Sequence, residues 1–183
     1  IQKVWSKGVG DDTKNLRLAL RPATDGSVIY GAAHDGKIVA LEPEKGRRVW
    51  KTDTKLPLSG GPATNGNIVV AGSSDGDLIA LDAVTGEELW HISVTSEVLA
   101  APAVGQDRVI LRTVTGKLAA FSNATGEQLW SVQQSMPKLS VRGTSAPVIA
   151  RNLAISGFDN GRVAAFDIND GGVIWDVLFE LPS

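Results

Sequence analysis

The chain has 183 residues, 43% of them hydrophobic and 21% charged, the makeup of a globular domain long enough to bury a core. Its 18 basic and 20 acidic residues leave a net charge of −2, which argues against a general nucleic-acid binder. Cysteine is absent, which excludes a disulfide framework, a thiol nucleophile and a zinc–thiolate site.

No apolar run approaches the roughly 18 residues of a bilayer-spanning segment. The chain opens on Ile1 without a charged and then apolar leader, and reads as a piece of something longer. Trp5 is its first landmark and matches the last strand of a preceding repeat, with a mixed-charge loop after it over 6–21. The first whole unit, 22–61, contains "DGKIVALEPEKGRRVW". The second, 62–101, contains "NIVVAGS", "DLIALD" and "EELWHIS"; the third, 102–146, contains "RVILRTV", "KLAAFS" and "EQLWSVQ". The fourth, 147–183, contains "NLAISGF" and "RVAAFD". These short β-branched and apolar runs predict strands, and no stretch carries a long 3.6-residue period.

The units keep one internal register. Pro22, Pro62, Pro102 and Pro147 are followed after fourteen residues by Gly36, Gly76, Gly116 and Gly161. Ten residues further on stand Gly46, Gly86, Gly126 and Gly171, and four after those Trp50, Trp90, Trp130 and Trp175. Asp35-Gly36, Asp75-Gly76 and Asn160-Gly161 predict tight hairpin turns through residues of positive φ. Thr85-Gly86 and Thr125-Gly126 mark a second turn. Four short antiparallel strands repeated every 40 to 45 residues are the signature of an all-β propeller. The expected fold is four complete four-stranded blades plus the tail strand of a fifth, about half of an eight-bladed ring forming a single partial propeller over 1–183. The tryptophans are expected to fill one equivalent slot between neighbouring blades, and the glycines to supply left-handed turn residues. An open arc would expose apolar blade faces and is expected to self-associate.

The register breaks in two places. Trp50 to Pro62 and Trp90 to Pro102 are each 12 residues, whereas Trp5 to Pro22 and Trp130 to Pro147 are each 17. Five extra residues that the repeat does not need mark candidate functional loops. The first, with Asp11, Asp12, Lys14, Arg17 and Arg21, reads as a solvated loop. The second places Leu139 and Val141 beside Lys138 and Arg142. Such a group suits an interface anchor. It equally suits two aliphatics capping a sheet edge beside a solvated arginine, and the residues alone leave both open.

Catalytic and metal chemistry find little support. His34 and His91 fall at non-equivalent positions and carry no metal-ligand spacing. "DINDGG" at 167–172 fails the calcium-loop pattern at its fifth position, Gly171, and its twelfth, Leu178. No phosphate loop or nucleophile elbow is present. The aspartates are explained as turn formers, and no cofactor is expected.

The blade pattern, Asp-Gly through Thr-Gly to Trp, resembles the repeats of quinoprotein alcohol dehydrogenases and of the non-enzymatic propellers that share them. The stretch "MPKLSVRGTSAPVIARNLAISGFDNGRVAAFD" is similar to the BamB family, lipoproteins of the outer-membrane β-barrel assembly machinery. That family carries Leu-Ser-Leu-Arg-Gly at the place of Leu139, Ser140, Val141, Arg142 and Gly143, with Val141 departing from its leucine. The resemblance implies a non-enzymatic scaffold at the periplasmic face of the outer membrane, anchored by lipid. It implies that the 138–143 loop docks onto periplasmic POTRA domains of BamA and that the protein assists nascent β-barrel proteins. The family's lipid-bearing cysteine and its second, aspartate-paired loop are not in this sequence. A quinoprotein dehydrogenase holding pyrroloquinoline quinone, or a propeller binding some other protein, are the alternatives.

Overall fold

The computed structural model describes residues 3–10, 20–133, 145–158 and 161–179. They form sixteen strands in four separate antiparallel sheets, each a meander in chain order. Blade one is β1 (Ala23–Thr24), β2 (Ile29–Ala32), β3 (Lys37–Leu41) and β4 (Arg48–Asp53). Blade two is β5 (Leu58–Thr64), β6 (Ile68–Ser73), β7 (Asp77–Asp82) and β8 (Glu88–Ser93). Blade three is β9 (Ala103–Val104), β10 (Arg108–Arg112), β11 (Lys117–Ser122) and β12 (Gln128–Gln133). Blade four is β13 (Val148–Ala150), β14 (Leu153–Gly157), β15 (Arg162–Asp167) and β16 (Val173–Leu178). β5 reaches back to Leu58, ahead of the Pro62 that opens the repeat register. Among the described residues no helix is long and apolar enough to cross a membrane.

The middle strands of blades two and three are nearly continuous apolar runs because those sheets are covered on both faces. All six residues of β6 are buried. Val69 and Ala71 pack with Ile79 and Leu81 against Tyr30, Ile38 and Ala40 of blade one. Val70 packs with Leu78 and Ala80 the other way, against Val109 and Leu111 of blade three. The side-chain period of two is intact, but neither phase meets water, so the alternation of a half-exposed strand disappears. Blade three repeats the pattern with Ile110, Leu118 and Ala120 against Ala154 and Phe166 of blade four.

The tryptophans join these layers. Trp50, Trp90 and Trp130 are 8%, 7% and 8% exposed. Each indole N–H donates to a carbonyl in the last turn of the next blade: Trp50 to Ala83 at 2.9 Å, Trp90 to Asn123 at 2.7 Å, Trp130 to Ile168 at 2.8 Å. Each ring also lies on that turn's glycine. A Cβ placed on Gly86, Gly126 or Gly171 would meet the preceding tryptophan ring at 2.6, 2.8 and 2.7 Å. Those glycines have φ of 75°, 72° and 76°, so the position demands glycine twice, once for the turn and once for the approaching ring. Trp5 makes the same contact, donating to Pro43 O at 2.7 Å over Gly46. Residues 3–9 carry no ladder pairing. A strand needs a neighbour, and the described residues place none beside them.

The turns match their expected glycines and refine the role of their aspartates. In the second-to-third strand turn of blade one, Gly36 N donates to Ala33 O and Ala33 N to Lys37 O. Gly36 has φ of 93°, whereas Asp35 is not left-handed. This is a three-residue loop closed by one left-handed residue, not a two-residue turn with two. Blade three accordingly builds it from Thr115-Gly116. In the third-to-fourth strand turn, Asp82 Oδ1 accepts from Val84 N, Thr85 N and Thr85 Oγ1. The Thr85 amide foremost holds the Asp82 carboxyl below the ordinary range, outweighing the push of burial in the other direction. Burial also pushes Asp25 up, but the amides of Ser27 and Val28 and the Tyr30 hydroxyl bring it below its ordinary value. Burial, with the Asp25 hydrogen bond, pushes Tyr30 up to about 12.

Replacing Trp90 by alanine is expected to cost roughly 3–5 kcal/mol, read from the urea midpoint. Gly126→Ala strikes the same contact, so the double variant should lose less than the sum of the singles. Full additivity would mean that ring and glycine do not act as one joint. Because Asp25 and Asp82 have depressed folded values, their stabilisation is present above the ordinary carboxylate pKa near 4 and is lost as the pH falls through the folded values. Stability should stay level from about pH 7 to 5 and drop below about pH 4, with a shallower drop in Asp82→Asn. An unchanged acid slope in that variant would refute the role given to this turn.

Candidate functional site

The propeller has two rims built from different loops. One carries the second-to-third strand turns together with every described connection between blades. There Thr54 N donates to Gly36 O, Val94 N to Gly76 O and Phe179 N to Gly161 O. The opposite rim carries the remaining turns, including the glycines that receive the tryptophans.

The two short connections are sealed. Leu58 is fully buried, its N–H donating to His34 O while its carbonyl lies 2.8 Å from His34 Nδ1. Val98 is fully buried, its N–H donating to Ser73 O and its carbonyl accepting from Ser59 Oγ at 2.6 Å. A Cβ on Gly72 would collide with Val98. The second short connection thus presses Val98 onto Gly72 of the preceding blade, and the first buries Leu58 in the apolar cluster that Ala32 of the preceding blade packs against.

The third connection is one of the two long ones. The sequence-derived binding residues Lys138, Leu139, Ser140, Val141, Arg142 and Gly143 lie outside the described residues, as do Asp11, Asp12, Lys14 and Arg17 of the earlier loop. The flanks of the third connection are described and stand on this rim. On the blade-three side, Gln133 Nε2 donates to Thr115 O at 2.8 Å. On the blade-four side, Ser145 Oγ donates to Gly157 O at 3.1 Å and accepts from Arg112 Nη1 at 3.3 Å. Arg112 ends β10 with only 1% of its surface exposed. Its guanidinium carbon lies 5.1 Å from the centroid of the Phe158 ring, within cation–π range. Phe158 meets Phe166 edge to face at 6.5 Å.

Residue reading missed Arg112, Ser145 and Phe158. A signal was present: counted back from Gly36, Gly76, Gly116 and Gly161, the position of Arg112 is Ala32 in blade one, Gly72 in blade two and Gly157 in blade four. A lone arginine in a column of small residues marks the one place where the packing differs.

The other candidates take structural places. His34 holds the Leu58 carbonyl, and His91 Nε2 lies 3.0 Å from Asp77 Oδ1 on the surface. Among the described residues no group of three or more His, Cys, Asp or Glu could hold a metal. Arg21 is exposed. Trp50, Trp90 and Trp130 fill their expected slots, whereas Trp175 is 40% exposed on an end face with Val177, Leu178 and Phe179.

A family model described as "Outer membrane protein assembly factor BamB" matches residues 34–179. The BamB protein of Pseudomonas aeruginosa is 56% identical over 183 residues, covering 100% of this chain and 48% of the relative. That of Alkalilimnicola ehrlichii is 58% identical over 181 residues, covering 99% and 47%. The crystal structure of BamB from Moraxella catarrhalis superposes with a TM-score of 0.82 at 27% identity, covering 91% of this chain and 51% of that one. The chain therefore spans about half the length of the curated relatives it matches. Of the two groups that share this blade repeat, the matches select one. On a family model fitted across most of the fold and relatives more than half identical from end to end, the chain belongs to the BamB family of outer membrane protein assembly factors.

Proposed function

We propose that this chain is part of a non-enzymatic scaffold that binds the periplasmic POTRA domains of BamA and assists the folding and insertion of β-barrel outer-membrane proteins. The docking element is the connection between blades three and four, with Leu139, Val141 and Arg142 as contacts and Lys138, Ser140 and Gly143 shaping it. The observation that carries this reading is the contrast among connections. The short ones each bury an aliphatic side chain, Leu58 or Val98, against the sheets. The third has five extra residues, carries Leu139 and Val141 among its apolar side chains, and has its described flanks on a rim backed by the stacked sheets. Family membership supports an assembly role and an association with the outer membrane. In a protein of the relatives' length the propeller closes as an eight-bladed ring, held at the periplasmic face of that membrane by a lipid anchor.

The test is calorimetric titration of the full-length protein with purified POTRA domains, comparing wild type with Arg142→Glu. Binding is expected in the wild type and a loss of about tenfold or more in the variant at unchanged unfolding temperature, because a charge reversal at an interface anchor costs several-fold to orders of magnitude. Equal affinity in both would move the interface elsewhere.

The half-exposed Trp175 and its apolar neighbours also support self-association of the four-blade unit, since an apolar face of this kind favours burial against another copy. Sedimentation velocity of residues 1–183 should show an average mass that rises with concentration. A single monomeric species across micromolar concentrations would contradict it.

A further inference from the structure

From the rim between blades three and four we infer that Arg112 is a positioning residue for the docking connection, fixing where that connection rejoins blade four. This inference rests on the docking role proposed for the connection.

Residue sizes in the sequence change places at this boundary. Counted back from Pro62, Pro102 and Pro147, the register position of the two buried plugs reads Leu58, Val98 and Gly143. Four residues ahead of the turn glycines Gly36, Gly76 and Gly116, the strand position reads Ala32, Gly72 and Arg112. Blades one and two pair a large connection residue with a small strand residue. Blade three reverses the order in sequence: glycine stands at the connection's register position, and the strand residue, Arg112, is the largest fully buried side chain among the described residues. An arginine entering from the strand supplies volume at this boundary, where the earlier boundaries take it from the connection.

Arginine supplies something an aliphatic cannot. Leu58 and Val98 hold their own connections through their backbone N–H groups, which donate to His34 O and Ser73 O. Arg112 reaches across the boundary instead, stacked on Phe158 of blade four, and donates to Ser145 Oγ, which passes the bond on to Gly157 O. Ser145 is two residues beyond Gly143 and two before Pro147. The chain Arg112–Ser145–Gly157 therefore ties the end of the connection to the inner part of blade four. A loop held at its root loses less freedom on binding than one that is free there, and the saving appears as affinity. Arg112 gives the tie a fixed end, because a side chain with 1% of its surface exposed has little room to find another arrangement, while Ser145 at the other end is exposed.

The experiment uses the full-length protein with Ser145→Ala, Arg112→Met and Arg112→Lys. Two quantities are read: affinity for the POTRA domains, and the rate at which trypsin cuts after Lys138 and Arg142, which follows the freedom of the connection when opening is fast. Ser145→Ala removes one hydroxyl at the rim and is expected to leave unfolding unchanged. It should weaken binding by about threefold to tenfold and speed cleavage by a similar factor, the scale of one lost hydrogen bond. Arg112→Met should do both more strongly, and Arg112→Lys should restore part of each. In the double variant Ser145→Ala with Arg112→Met, the effects should fall short of additive. The inference is overturned if Ser145→Ala leaves affinity and cleavage at wild-type levels, or if Arg112→Met changes them only as far as its unfolding temperature drops. Failure of the docking role itself looks different: wild type then binds no POTRA domain, and the cleavage rates alone decide whether Arg112 holds the connection.

Discussion

An indole laid on a left-handed glycine joins each sheet to the next, and the rest of the molecule depends on that joint. One four-stranded meander of this size has two apolar faces and cannot stand in water. The joint brings a second sheet onto the first, with the ring covering the face and its N–H satisfying a turn carbonyl that the same contact buries. The turn has to be left-handed and has to lack a Cβ, so the tryptophan of one blade and the glycine of the next are chosen together. Repetition follows, because blades one, two and three each give a ring to the next and receive one, and blade four receives that of Trp130.

Once the sheets are stacked, the space between their ends has to be closed, and the connections do this. Leu58 and Val98 close two boundaries from the connection side, over Ala32 and Gly72. At the third, Arg112 enters from the strand side and Phe158 gives its charge a face to rest on. The departure from the repeat is therefore local and compensated, and it coincides with the longer connection. The scaffold itself stays regular: β12 has the same burial pattern as β4 and β8, and its tryptophan is seated as deeply. A connection can vary in length and sequence on such a base because the strands beneath it keep one pattern.

Much of this was legible in the residues. The spacing of proline, two glycines and tryptophan marks the blades, since a physical joint used repeatedly leaves its residues at a fixed interval. The aspartates were legible as turn formers, although in the Asp35-Gly36 and Asp75-Gly76 turns the glycine alone is left-handed. The missing alternation in β6 and β7 gave less away: a continuous apolar strand says that both faces are covered, not what covers them. Arg112 was the residue least open to reading. Arginine in a short strand ordinarily signals an exposed face, and nothing nearby in sequence supplies its partners. Phe158 and Ser145 lie 46 and 33 residues away.

By itself the sequence determined the sheet content, the number of repeats, the residues of the inter-blade joint and the two places where the register breaks. All of these depend on local spacing: strand periodicity, turn chemistry, or a motif counted against its own copy. The tertiary structure decided the pairing of Trp5, Trp50, Trp90 and Trp130 with the following blade's glycine and the gathering of the described connections on one rim. It also decided the burial of Arg112 against Phe158 and Ser145, and the partial exposure of Trp175. These depend on which sheet lies against which, and packing brings together side chains 30 or more residues apart that no interval in the chain identifies as neighbours.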